Sequence, residues 1–138
     1  MMSPPLVSID RLDHLVLTCA SVAATADWYT KYLGMRVETF ASASEPSAAP
    51  RVALHYGSQK INLHQKGAEF EPKAATALPG TADLCFIIDE DADLEAVLRG
   101  FQADGIEVLE GGVVVKRTGA RGPMRSIYVR DPDGNLIE

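Results

Sequence analysis

The sequence predicts an α+β protein in which two βαβββ modules pair so that their curved sheets share one cavity. Three observations carry that prediction. Residues 12–64 and 83–138 run through the same order of strand, helix and three strands, an internal repeat that outranks any short motif. Each helix candidate opens on a capping Ser or Asp and closes on Gly. The strand candidates are rich in β-branched residues and are bounded by turn residues.

The first strand is expected at residues 12–18, where LDHLVLT is apolar and β-branched. Residues 21–33 follow as a helix, with Val22, Ala26, Tyr29 and Leu33 at helical spacing, Ser21 as N-cap and Gly34 as the stop. MRVETF gives a second strand and residues 41–50 an Ala/Ser/Pro-rich loop. Strands at 51–56 and 60–64, divided by Gly57 and Ser58, complete the module. In the second half DLCFII (83–88) opens, and Leu94, Val97, Leu98 and Phe101 form a helical stripe capped by Asp91 or Asp93. Gly105 ends that helix. IEVLE and VVVK are the next strands, then a Gly-rich loop over 117–123, a strand at 126–130, a DPDG turn and a last strand to Glu138.

The boundaries expected are one domain over 1–138, with modules at 11–66 and 83–138 and a connection at 67–82. At 46% hydrophobic and 23% charged, the 138 residues suit a globular domain that needs no disulfide or metal to hold its core. A net charge of −6 counts against broad nucleic-acid binding or an anionic membrane surface. No apolar run approaches the ~20 residues of a membrane span. Residues 1–9 lack the basic lead and apolar stretch of a secretory signal, and Cys19 and Cys85 make no disulfide framework. The expectation is a soluble cytoplasmic domain.

Each half is too small to bury its own concave face, so matching positions of the two halves converge. Alternation puts His14, Val16 and Thr18 on one face of the first strand, Asn62 and His64 together, Asp83 with Cys85, and Leu136 with Glu138. His14 then matches Asp83, and Glu138 matches either Asn62 or His64. The result is a ring of His14, Asn62 or His64, Asp83 and Glu138. Imidazole with carboxylate is a ligand set suited to Zn²⁺, Ni²⁺, Fe²⁺, Mn²⁺ or Co²⁺. Taken singly, His14 reads as a core histidine, Asp83 as a strand-entry residue and Glu138 as an exposed acid. A buried carboxylate needs a partner or a metal, however, and the repeat supplies both. Arg117 and Arg121 lie in a loop that is either solvated or a mobile lid reaching an anionic substrate. Cys85 reads as cavity lining, Cys19 as core, and Trp28, Tyr29 and Tyr32 as packing. Lys73 is a hinge or a substrate contact.

The segments RLDHLVLTC, DWYTKYLGMRVETF, GSQKINLH and YVRDPDGNLIE resemble the vicinal oxygen chelate superfamily, which includes glyoxalase I, fosfomycin-resistance thiol transferases and extradiol dioxygenases. NLHQKGAEFEPKA and LPGTADLCFI are similar to its glyoxalase domain-containing protein 5 group. The resemblance implies a divalent metal on the cavity floor, a small substrate chelated through vicinal oxygens, and a homodimer. It gives His14 as the first ligand and Glu138 as the last. The position that usually holds His carries Asp83, and the Glu position of glyoxalase I carries Asn62 or His64.

The function expected is a metal-dependent lyase or isomerase, or a ring-cleaving dioxygenase using His14, His64 and Glu138 as a two-His-one-carboxylate set. Glu138 or His64 would move the proton. Asn62, where it is no ligand, would touch substrate beside Arg117 and Arg121. The rival is a non-catalytic protein sequestering a drug or toxin. Whether the cavity forms within one chain or across two is left open.

Overall fold

A computed structural model describes residues 2–138. Strand β1 (His14–Cys19) leads through Ser21 into helix α1 (Val22–Leu33). The Ser21 hydroxyl accepts from the Ala24 N–H at 3.2 Å, and Gly34 at φ 65° lets its N–H turn back to the Thr30 carbonyl. Strands β2 (Arg36–Phe40), β3 (Arg51–Tyr56) and β4 (Gln59–Gln65) then build a four-stranded sheet in the order β1-β4-β3-β2, with β1 parallel to β4.

The second module has β5 (Asp83–Leu84), α2 (Leu94–Ala103), β6 (Val115–Gly119), β7 (Gly122–Ser126), β8 (Val129–Arg130) and β9 (Leu136–Ile137). Asp93, rather than Asp91, caps α2, its carboxylate accepting from the Glu95 and Ala96 N–H groups. β5 pairs in parallel with β9, whereas β9 with β8 and β7 with β6 are antiparallel. Only Ile127 and Tyr128 separate β7 from β8, so one interrupted strand serves both neighbours. The order β5-β9-β8/β7-β6 therefore repeats β1-β4-β3-β2.

Several expectations are corrected here. IEVLE is no strand: Leu109–Gly112 form a short helical turn in which Glu110 (φ 56°) and Gly111 (φ 80°) take left-handed backbone, which no ladder accepts. Residues 117–123 are not an open loop. They form the β6–β7 hairpin, with Arg117 paired to Met124 and Gly119 to Gly122 around a tight turn at Ala120 and Arg121. The VVVK strand begins later, at Val115, and the 83–88 strand is confined to Asp83–Leu84, with one more backbone bond from the Phe86 N–H to the Glu138 carbonyl at 2.8 Å.

One apolar core joins the helix-bearing sides of both modules, with Leu17, Tyr29, Leu54 and Ile61 from the first and Phe101 and Val129 from the second. Trp28 stacks on Phe101 at 6.4 Å, and the Tyr32 hydroxyl donates to Asp104 at 3.0 Å. Packing in this aromatic cluster is thus shared between α1 and α2. The DPDG turn is the second fastening. Asp131, 5% exposed, accepts from the Tyr29 hydroxyl (2.7 Å), the Asn135 amide (2.8 Å) and the backbone N–H groups of Asp133 and Asn135 (3.0 Å each). Asp133 in turn accepts from the Ala20 N–H at the start of α1. Gly80 lies against this turn at φ +79°, where a Cβ would stand 2.5 Å from the Asp133 carbonyl oxygen, so only glycine fits. Among the described residues no helix is long and apolar enough to cross a membrane.

Candidate functional site

With the helix sides joined, the opposite faces of the sheets are the ones left open. On the first sheet that face carries His14, Val16 and Thr18 of β1 beside Lys60, Asn62 and His64 of β4. His14 and Val16 are exposed, while Thr18 and His64 are buried. On the second sheet Asp83 and Cys85 are exposed, with Glu138 half-buried.

The ladders give the register that alternation leaves open. His14 pairs with Lys60 and Val16 with Asn62; Asp83 pairs with Leu136, which carries Glu138 two residues beyond. Superposing His14 on Asp83 therefore matches Asn62 with Glu138, and sets His64 one pair further along, opposite Thr18.

Each candidate sits in a distinct local setting. The His14 Nδ1 lies 2.8 Å from Asp13 Oδ2, which orients the ring and leaves Nε2 free. That hydrogen bond also holds the Asp13 carboxyl below its ordinary value. Glu138 Oε2 accepts from the Ser126 hydroxyl at 2.6 Å. The Arg117 Nε donates to the Tyr128 hydroxyl at 3.1 Å, and its guanidinium lies 5.3 Å from that ring's centre. Desolvation, and then Glu138, push the Tyr128 phenol up, while Arg117 pulls it down. Desolvation and the Glu138 charge raise the Cys85 thiol, so it stays protonated and serves as lining. Burial pushes Cys19 up to about 11, in keeping with its place in the core.

Other candidates stand apart. Arg121 is exposed at the hairpin tip, and Arg125 pairs with Glu95 at 3.4 Å. Lys73 pairs with Glu71 and Glu69 at 3.5 and 3.9 Å, stapling the connection across a cavity of about 350 Å³ that His64 and Thr18 help to line. Glu138 instead borders an apolar cavity of about 470 Å³ beside α2. Among the described residues, no three His, Cys, Asp or Glu side chains within one chain come close enough together to hold a metal ion.

His64 is lowered from its ordinary 6.5, first by burial and then by the Arg51 charge, with Glu69 opposing. A depressed histidine stabilises the fold above its unfolded value and is a liability below it. Stability is therefore expected to fall as pH drops from about 6.5, the unfolded value. His64→Gln should flatten that part of a urea-midpoint profile; an unchanged slope would assign it elsewhere.

Sequence reasoning missed Ser126, Tyr128, Arg51 and His55. The last two were within reach: the Gly57–Ser58 turn fixes β3 against β4, which puts Arg51, Ala53 and His55 on the Asn62 face.

Two βαβββ modules carrying imidazole and carboxylate on open curved faces define a glyoxalase-like protein of the vicinal oxygen chelate type. The chain belongs to the Glyoxalase/Bleomycin resistance protein/Dioxygenase superfamily, whose family profile matches residues 11–138. It is 56% identical over 133 residues to Glyoxalase domain-containing protein RDO1 of Mycosarcoma maydis, covering 96% of this chain and 68% of that one. It is 50% identical over 130 residues to Virulence protein STM3117 of Salmonella typhimurium, covering 94% and 83%. The crystal structure of STM3117 superposes with a TM-score of 0.82 at 46% identity, covering 95% of each chain. An integron cassette protein from V. cholerae, VCH_CASS1, superposes at 0.83 with 48% identity, covering 96% of this chain and 94% of the other.

Proposed function

We propose that the chain is a metal-dependent lyase or isomerase acting on a small substrate with adjacent oxygens, in a cavity shared by two copies. The observation that carries this reading is the division of donors: His14 and Asn62 on one open face, Asp83 and Glu138 on the other, matched by register yet apart within one chain. The donor set suits a divalent ion such as Zn²⁺, Ni²⁺, Fe²⁺, Mn²⁺ or Co²⁺. Asn62 Oδ1 is buried without a hydrogen-bond partner, which fits a role as the fourth donor. His14, Asp83 and Glu138 would supply the others.

When bound, the ion would act as a Lewis acid on the substrate's adjacent oxygens. Glu138, one carboxylate oxygen of which is held by the Ser126 hydroxyl, would hold and move the proton. Tyr128, tied to Arg117, borders the same carboxylate. Arg117, 3.9 Å from Glu110, adds a cation at the rim of the second sheet. Pairing of copies would cover Val16 and Ile87, apolar side chains 45% and 81% exposed in the single chain.

The apolar cavity beside Glu138 favours a second reading, sequestration of a drug or toxin without chemistry. Metal uptake separates the two. Reconstituted protein is expected to hold divalent metal, with Asn62→Ala losing affinity by about tenfold or more and His64→Ala changing it little. A protein that stays metal-free with every ion tried would favour sequestration. A strong effect of His64→Ala alone would restore the dioxygenase-type set.

A further inference from the structure

Among the described residues, three buried side-chain atoms have no hydrogen-bond partner: Nε of Arg51, Nε2 of His55 and Oδ1 of Asn62. All three belong to one face of β3 and β4. Ala53 pairs with Asn62, and Arg51 and His55 lie two residues to either side of Ala53 on β3. The three side chains thus rise on one face around a methyl group, Arg51 and His55 being diagonal to Asn62 at about 7–8 Å. Buried polar atoms are nearly always satisfied, so three orphans together point to a partner that binds there. The floor site proposed above accounts for Asn62. It does not account for Arg51 or His55.

Arg51 is the informative member, because a guanidinium can only donate. Its Cζ lies 4.4 Å from the centre of the Phe70 ring, and His64 meets the same ring edge-on at 5.4 Å. That packing fixes the guanidinium but does not balance its charge. Arg51 makes no ion pair with any described residue, and the carboxylates of this region are engaged elsewhere. Glu38 lies 3.4 Å from Arg36 and 3.2 Å from His55 Nε2, the latter off the direction of a hydrogen bond. Glu69 pairs with Lys73 at 3.9 Å. Lys60, on the same face, stands over the Phe40 ring. A chain with net charge −6 thus gathers Arg36, Arg51 and Lys60 against Glu38 on one open surface.

We propose that Arg51 forms an anion subsite on this face, so that the substrate is a small organic acid whose anionic group seats at Arg51 while its adjacent oxygens reach the floor at Asn62. The inference rests on the metal-dependent reading and adds the charge of the substrate to it. A neutral diol would leave the Arg51 charge unmatched.

The test follows the backbone amide resonances of β3 in ¹H–¹⁵N spectra of the full chain, wild type and variants alike, as inorganic phosphate or acetate is added, with the Arg51 Nε–H followed as well in wild type. The expected result is a saturable shift, with Arg51→Met weakening binding by roughly 10- to 100-fold and Arg51→Lys by less. A shift that stays linear in anion concentration, or either variant binding like wild type with native circular dichroism, would overturn the subsite. Should Arg51→Met fail to fold, Arg51→Lys carries the comparison. Metal uptake is measured on the same samples. Saturable anion binding without metal uptake would sink the metal reading and leave Arg51 as an anion site, whereas metal uptake without anion binding would sink this inference alone.

Discussion

Asp131→Ala is expected to destabilise the protein by about 3–5 kcal/mol, enough to consume much of a small domain's stability. The substitution strands the Tyr29 hydroxyl, the Asn135 amide and two backbone N–H groups, all of which donate to this carboxylate. Their burial makes the loss severe, since an unmatched donor in the interior costs its whole desolvation. Tyr29→Phe removes one donor and leaves the other three in place, so about 1–2 kcal/mol is expected. Urea denaturation followed by circular dichroism reads both. Equal losses for the two variants would show that Asp131 acts only through Tyr29, and the hub described here would not exist.

The second expectation concerns two variants that each fail alone. His14→Ala and Glu138→Gln should each lower metal affinity by about tenfold or more, because changes in outer-shell partners alone reach that size. Mixed after unfolding and refolding together, they should regain about one quarter of the wild-type metal sites. Half of the random pairs join unlike chains, and in each of those one cavity receives the intact His14 face and the intact Glu138 face. A site made within one chain could not be rescued this way, and zero recovery with dimers present in light scattering would refute the shared cavity.

The elements of the first module were legible because local signals agreed: Ser21 and Gly34 bracket α1, and Gly57 and Ser58 bracket the β3–β4 turn. The second module was harder. Glycines at 119 and 122 read as a loop, yet paired glycines also suit a tight hairpin, and only the Arg117–Met124 register distinguishes the two. IEVLE has the alternation of a strand, but two successive left-handed residues at 110 and 111 turn it into a helical corner. At the site, alternation sorted residues by face without fixing register, because Asn62 and His64 share a face. Arg51 was invisible for another reason. Its meaning lies in what it lacks, and an unpaired charge shows only once every neighbour has a place.

The helix-side core has a consequence for dose. A chain that spends its apolar helix faces on joining its own modules keeps two open sheet faces. In the shared arrangement, closed cavities then obey mass action rather than gene copy alone. Below the pairing constant their number would fall with the square of chain concentration, so dilution itself would switch the proposed site off. Expression level would then act as a form of regulation, with no effector needed to supply it.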